Sequence, residues 1–189
     1  VDCGSGVTQR LMQAGFNGAE IDCLFLTHLH SDHVVDFYQL IISSWHQYRK
    51  KEWKIVGPKG TKKFIHQIMD SWQEERNLRI EYEKRDSIKG FELDIEEIEF
   101  EGNLKINDIK IEYFDVDHKP VLYAFGYNFL CNAEKITISG DTKPCKNIEK
   151  YAMDTDVLVH EVFIEDEIKP INGMRNIKTL HNVKAYHTL

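Results

Sequence analysis

The feature that most constrains this chain is a hexad, His28-Leu-His30-Ser-Asp32-His33, that follows directly on a compact apolar run, Asp22-Cys-Leu-Phe-Leu-Thr27. The run has the length of a strand and a composition suited to burial on both faces. A chain leaving such a strand turns out at the edge of a sheet, where polar side chains converge. His28 and His30 are two apart, so in extended backbone they project to the same side. Asp32 and His33 follow as the chain bends and face a second point a few ångströms away. Imidazole nitrogens with a carboxylate suit Zn²⁺, or Mn²⁺ and Fe²⁺ where more oxygen takes part. The competing reading is a polar loop with three surface histidines. Four ligand-type residues in six, directly behind a buried strand, argue against it.

Composition narrows the setting. The 189 residues correspond to about one domain. With 42% hydrophobic and 29% charged residues the chain can bury a core and stay in solution, which excludes a disordered tail and a coiled coil. No apolar run approaches the ~18 residues of a spanning helix, so no membrane is expected as a partner. The formal charge of −7 disfavours a partner gripped mainly through a phosphate backbone. Cys3, Cys23, Cys131 and Cys145 form no C-x-x-C pair and read as small buried apolar side chains. The chain opens on Val1-Asp-Cys-Gly-Ser-Gly6 without an initiator Met and reads as a piece of something longer. No secretory or transit segment is visible, and the compartment, cytoplasm or periplasm, is left open.

Along the chain, Val1 to Gly6 reads as a strand tail running into a Gly-rich turn, and Val7 to Ala14 as a short helix stopped by Gly15. Val34 to Tyr48 reads as one mostly buried helix, and Trp53 to Val56 as a strand followed by a turn, with Thr61 capping the next helix. On that helix Phe64, Ile65, Ile68, Met69 and Trp72 share one stripe. From Phe91 to Asp117 apolar residues alternate through Ile95, Ile98 and Phe100, then Leu104 and Ile106, then Ile109 and Ile111. Asn107-Asp108 is the hairpin turn between the last two runs. Further strands are expected at Ala124–Leu130, Lys135–Ser139 and Asp156–Val162, with a helix at Asn147–Met153. There is no repeat, low-complexity segment or linker, so 1–189 reads as a single domain with sheets inside and helices outside.

Two further segments place ligand-type residues at strand ends. Asp117-His118 closes the Ile109–Val116 run, and Ser139-Gly-Asp141-Thr142 closes the Lys135–Ile138 run. Taken alone, Asp141 reads equally well as a turn residue; its value comes from the company.

With these segments in place the chain resembles the metallo-β-lactamase superfamily, in its ribonuclease Z-like and arylsulfatase-like branches. The matching stretches are Val1-Asp-Cys-Gly-Ser-Gly6, Thr27-His-Leu-His-Ser-Asp-His33, Asp117-His-Lys-Pro120 with Ala124-Phe-Gly-Tyr127, Ser139-Gly-Asp-Thr142 and Val159-His-Glu-Val-Phe163. They stand in the family's order and cover nearly the whole chain. The resemblance implies an α/β fold, the αββα sandwich of two mixed sheets with helices outside. It also implies a chain lacking the first strands and the last ligand-bearing strand. It implies two divalent ions, foremost zinc: His28, His30 and His118 hold one, Asp32 and His33 the other, and Asp141 bridges. His187 resembles the family's His that protonates the leaving group, with Glu161 as its orienting carboxylate. Asp32 or Asp141 would orient a metal-activated hydroxide. His160 and His181 carry no firm role, and His46 and His66 read as structural.

For the substrate, the resemblance offers alternatives. Full tRNA-processing members carry a protruding arm, in the bacterial type between the Gly-Tyr strand and the Gly-Asp-Thr turn. Here Gly126 to Asp141 leaves room for two strand ends and a turn at Asn132-Ala133. With the acidic balance, and with Asp117-His-Lys-Pro120 and the Ile41-Ile-Ser-Ser-Trp45 helix looking closer to the arylsulfatase-like branch, this favours a hydrolase of a small anionic sulfate or phosphate ester. The alternatives are a ribonuclease Z-like RNA 3′-end endonuclease or phosphodiesterase and a non-catalytic metal-binding homologue. A homo-oligomer is among the expected assemblies, since relatives commonly form one.

Overall fold

The apolar run behind the hexad forms strand β1 (Cys23–Phe25) in the computed structural model, which describes residues 1–164, 169–170 and 176–187. Strand β1 belongs to the first of two compact units, Val1–Glu99 and Phe100–Leu189. The first unit holds a three-stranded parallel sheet in the order β1-β2-β3, with β2 at Trp53–Pro58 and β3 at Leu93–Ile98. Leu24 pairs with Ile55, and Ile55 with Ile95. Parallel neighbours need long crossovers, and helices supply them. α1 (Val7–Gln13) precedes β1, α2 (Ser31–Val34) and α3 (Phe37–His46) join β1 to β2, and α4 (Thr61–Ser71) and α5 (Gln73–Glu83) join β2 to β3. Leu24, Leu26, Phe37, Leu40, Ile41, Trp53, Ile55, Ile65 and Met69 close the core of this unit.

The second unit holds β4 (Gly102–Ile106), β5 (Ile109–Asp115), β6 (Phe125–Cys131), β7 (Glu134–Ile138) and β8 (Val157–Val159) in that order. The first four are antiparallel, and β8 runs parallel to β7. Two-residue hairpins follow from the turn sequences. Ile106 pairs with Ile109 across Asn107-Asp108, and Cys131 with Glu134 across Asn132-Ala133, where both central residues have positive φ (50° and 66°). That is the backbone of the tight turns whose twist matches flanking strands. α6 (Lys146–Tyr151) lays Tyr151 flat on Phe114 with ring centroids 4.4 Å apart, and α7 (Ile177–Lys184) is the last helix described.

Several expectations change in detail. The expected helix from Val34 to Tyr48 is two helices, because Asp36 leaves helical geometry (ψ 12°) and α3 starts afresh at Phe37. Residues 1–6 form no strand; the segment is held instead by Asp2 N–H on Phe25 O and Cys3 N–H on His33 O. Thr61 does not cap α4. Gly60, at φ 102°, takes the cap position, and the Thr61 hydroxyl donates to Pro58 O. Phe100 is exposed and outside any strand, and Trp72 is half-exposed, stacked on Tyr38 at 5.0 Å. Of the cysteines only Cys3 is fully buried; Cys23, Cys131 and Cys145 are partly so. Among the described residues no helix is long and apolar enough to cross a membrane.

Candidate metal centre

In the first unit the hexad is built outward from β1. His28 is fully buried, and its Nε2 lies 3.0 Å from Nδ1 of His30. The ring of His33 packs on that of His28 with centroids 4.1 Å apart. One residue absent from the expected ligand set organises this cluster. Asp2 Oδ1 accepts from Thr27 N–H (2.8 Å), while its Oδ2 accepts from the Thr27 hydroxyl (2.9 Å) and from His33 Nδ1–H (2.8 Å). Since the Thr27 hydroxyl proton goes to Asp2, its oxygen accepts from His28 Nδ1–H at 3.0 Å. A neutral imidazole that donates from one nitrogen keeps the lone pair on the other. Asp2 therefore sets the tautomers of His28 and His33, leaving Nε2 of each with the lone pair a metal ligand needs. The sequence carried a signal for Asp2, one residue into a recognised motif, but nothing local said which atoms it meets.

Asp32 lies in the first turn of α2 with its side chain 78% exposed, Oδ2 being 3.7 Å from His33 Nε2. The loop that carries it is pressed against Gly4, where an added Cβ would stand 2.3 Å from Asp32 O. Only glycine fits there.

In the second unit a second cluster forms from strand ends. His118 is buried behind β5; Ser139, Gly140 and Asp141 follow β7, with Ser139 N–H on Val159 O and Gly140 at φ 63°. His118 Nδ1–H donates to Tyr186 O (3.2 Å), leaving the Nε2 lone pair 4.0 Å from Asp141 Oδ2. His187 Nδ1–H donates to Glu161 Oε2 at 2.6 Å, its ring stacked on Phe163 and its Nδ1 3.8 Å from Asp141 Oδ2. The other Glu161 oxygen accepts the backbone N–H of Thr142, and Lys143 N–H on Asp117 O closes the Asp141 turn. One donor atom from each of His118, Asp141 and His187 lies within 4.8 Å of the other two.

These groups fit a divalent transition metal: imidazoles with assigned lone pairs and a carboxylate, largely shielded from solvent. The expected site residues thus fall into two clusters, His28, His30, Asp32 and His33 in one unit and His118, Asp141, Glu161 and His187 in the other. His160 turns its Nδ1 to Glu161 O (2.6 Å), and His46 pairs with Glu83 on α5 at 3.3 Å, a structural setting.

Comparison with known proteins gives the chain its relatives. The chain is 29% identical over 187 residues to a ribonuclease Z of Mycolicibacterium gilvum, matching 96% of this chain and 65% of that protein. It spans about two thirds of the length of the curated relatives it matches. The crystal structure of the human short-form tRNase Z superposes with TM-score 0.72 at 20% identity, over 99% of this chain and 71% of that one. The metallo-β-lactamase fold protein YhfI of Bacillus subtilis superposes with TM-score 0.64 at 17% identity, over 88% and 61%. The fold is that of the metallo-β-lactamases. The family model described as "Anti-Pycsar protein Apyc1" matches residues 1–180, and the chain belongs to this Apyc1 family within the metallo-β-lactamase superfamily, ribonuclease Z-like branch.

Proposed function

We propose that this chain is the catalytic core of a metal-dependent phosphodiesterase of the ribonuclease Z-like kind. The observation that carries the reading is the second cluster: an imidazole, His187, tied by a carboxylate, Glu161, beside the ligand-type side chains of His118 and Asp141. Its relatives' names, ribonuclease Z and tRNase Z, favour phosphodiesters over the sulfate esters expected from the sequence, and nucleic acid over a small anionic ester. The acidic balance weighed against nucleic acid because it treated affinity as a matter of net charge. A metal site supplies its own local positive charge.

When bound, divalent ions lower the pKa of a water towards neutrality and offset charge on the attacked phosphate. Of the ligands implied by the resemblance, His28, His30, Asp32 and His33 in the first unit and His118 and Asp141 in the second would hold divalent metal, zinc being the ion these donors suit best. The chain's own residues do the rest. Asp2 holds His28 and His33 in their ligating tautomers, and Asp141 orients the attacking water. With Nδ1 committed to Glu161, the protonated His187 delivers its Nε2 proton to the departing oxygen.

Turnover by the zinc- or manganese-loaded chain of bis-p-nitrophenyl phosphate, p-nitrophenyl sulfate and a precursor tRNA tests the reading. Hydrolysis of the diester without the sulfate ester supports it, and preference for the sulfate ester overturns it. Metal uptake without turnover of any of the three assigns a non-catalytic metal-binding protein. The two-residue turn at Asn132-Ala133 leaves no arm between β6 and β7, so cleavage of the tRNA would locate its grip elsewhere, and failure to cleave it would point to smaller diesters.

A further inference from the structure

In the second unit the segments after β5 and β7 carry His118 and Asp141, yet β6 stands between these two strands in the sheet, so no ladder joins their ends directly. Three contacts make the join instead, all between Asp117 and the dipeptide Thr142-Lys143. Asp117 N–H donates to the Thr142 hydroxyl oxygen (3.2 Å), Lys143 N–H donates to Asp117 O (3.1 Å), and Lys143 Nζ meets Asp117 Oδ2 at 3.2 Å. The first two commit the backbone of Asp117 on both sides. The third fixes its side chain: Oδ1 is buried with no hydrogen-bond partner among the described residues, so the ammonium is what directs the carboxylate. Asp117 directly precedes His118, and Lys143 stands just beyond Asp141. The ligand atoms of those neighbours, His118 Nε2 and Asp141 Oδ2, lie 4.0 Å apart. Two groups on one tetrahedral zinc, each about 2.1 Å from it, stand roughly 3.4 Å from one another. The tie therefore holds the pair close to the separation that a shared ion requires.

A lysine this near a cation site opposes the ion by charge, and a pair whose side chains are 37% and 29% exposed contributes little to global stability. We propose that Asp117 and Lys143 are positioning residues, a clasp that keeps His118 and Asp141 at metal-binding separation through the tie itself rather than through charge. The inference rests on the metal-dependent reading above and adds to it two residues outside the expected ligand set. The sign of one substitution separates the two roles. Lys143→Met removes a cation and leaves the Asp117 anion uncompensated beside the site. Were charge the whole effect, zinc would then bind more tightly. With the clasp undone, the two segments part and zinc binds more weakly.

The test is zinc titration of the whole chain against a zinc-chelating dye, with Asp141→Ala marking the step that belongs to this cluster. Lys143→Met, Asp117→Asn and the double variant should each weaken that step about tenfold. Urea midpoints of the zinc-free chains should stay near that of the parent, and Lys143→Arg should recover most of the affinity. Charge alone predicts tighter binding in Lys143→Met, weaker binding in Asp117→Asn and parental affinity in the double variant. That pattern, or unchanged affinity in Lys143→Met, overturns the proposal, as does a parent chain that takes up no zinc. A loss of affinity matched by a fall in the urea midpoint would make the pair merely structural and overturns it too. If Asp117→Asn fails to fold, Lys143→Met and Lys143→Arg decide the outcome, since the Lys143 side chain reaches solvent. Turnover of bis-p-nitrophenyl phosphate is read separately. A parent chain that binds zinc but hydrolyses no diester ends the phosphodiesterase reading, while the affinities still judge the clasp.

Discussion

Glu161 accepts the Nδ1 proton of His187 at 2.6 Å with one oxygen and the backbone N–H of Thr142 with the other. A single carboxylate thereby ties an imidazole 26 positions later to the residue that follows Asp141. In Glu161→Gln the ring loses its anionic partner, and the imidazolium that the proposed proton donation requires is no longer stabilised. Turnover of a diester with a poor alkoxide leaving group should fall roughly a hundredfold, whereas p-nitrophenyl esters, whose leaving group needs no proton, should lose far less. Equal losses on both would mean that Glu161 serves only the fold.

Asp2 makes the same kind of contact in the first unit, serving Thr27 and His33 from one oxygen. Asp2→Ala should weaken zinc binding by about ten- to a hundredfold, the usual consequence of losing a carboxylate behind a ligating histidine. Competition with a zinc-chelating dye reads this without any substrate.

Gly4 has no room for a methyl group beneath Asp32 O. Gly4→Ala should displace the turn that carries Asp32 and His33, cutting zinc uptake while far-ultraviolet circular dichroism stays near that of the parent. Wild-type zinc affinity in this variant would show that the loop yields freely.

Burial pushes the thiols of Cys3 and Cys23 up to about 12 from an ordinary value near 9, with the Asp2 carboxylate adding to the effect at Cys3. At pH 8 their alkylation by iodoacetamide should be roughly a thousandfold slower in the folded chain than in urea. A folded-state pKa above the unfolded one means that the native state holds the proton longer. The associated stability is therefore complete below about pH 9 and lost progressively as the pH rises through about 12. Urea midpoints between pH 8 and 11 should decline, and less steeply in Cys23→Ala.

Arg49 is buried under the first unit, donating from Nη1 to Ile21 O (2.7 Å) and Gly18 O (3.2 Å) and from Nη2 to Glu52 O (2.7 Å), with its guanidinium 3.8 Å above the Trp53 ring. Arg49→Ala leaves those carbonyls without their donor and opens a void. A loss of about 3 kcal/mol in urea unfolding is expected, with Arg49→Lys recovering only part of it.

The strands were legible because alternation at Leu104, Ile106, Ile109 and Ile111 and the Asn107-Asp108 turn agree with one another, and α4 because Ile65 and Met69 face the core at helical spacing. α5 was not, since none of its residues is buried: it is held by polar contacts such as Tyr38 hydroxyl on Glu75 Oε2 at 2.8 Å, which leave no periodic trace. At the site, residue types and spacing identified the hexad, and the resemblance paired Glu161 with His187. The part played by Asp2 lay out of reach because its partners are 25 and 31 positions away. No pattern within a strand or helix encodes such a pairing.

The shared oxygen of Asp2 has one more consequence. Because Thr27 and His33 draw on the same acceptor, and His28 leans on Thr27, two imidazoles have a common anchor and cannot be retuned separately. A substitution meant to adjust the basicity of one will tilt the other with it, so directed changes of metal preference in this chain should come in coupled steps.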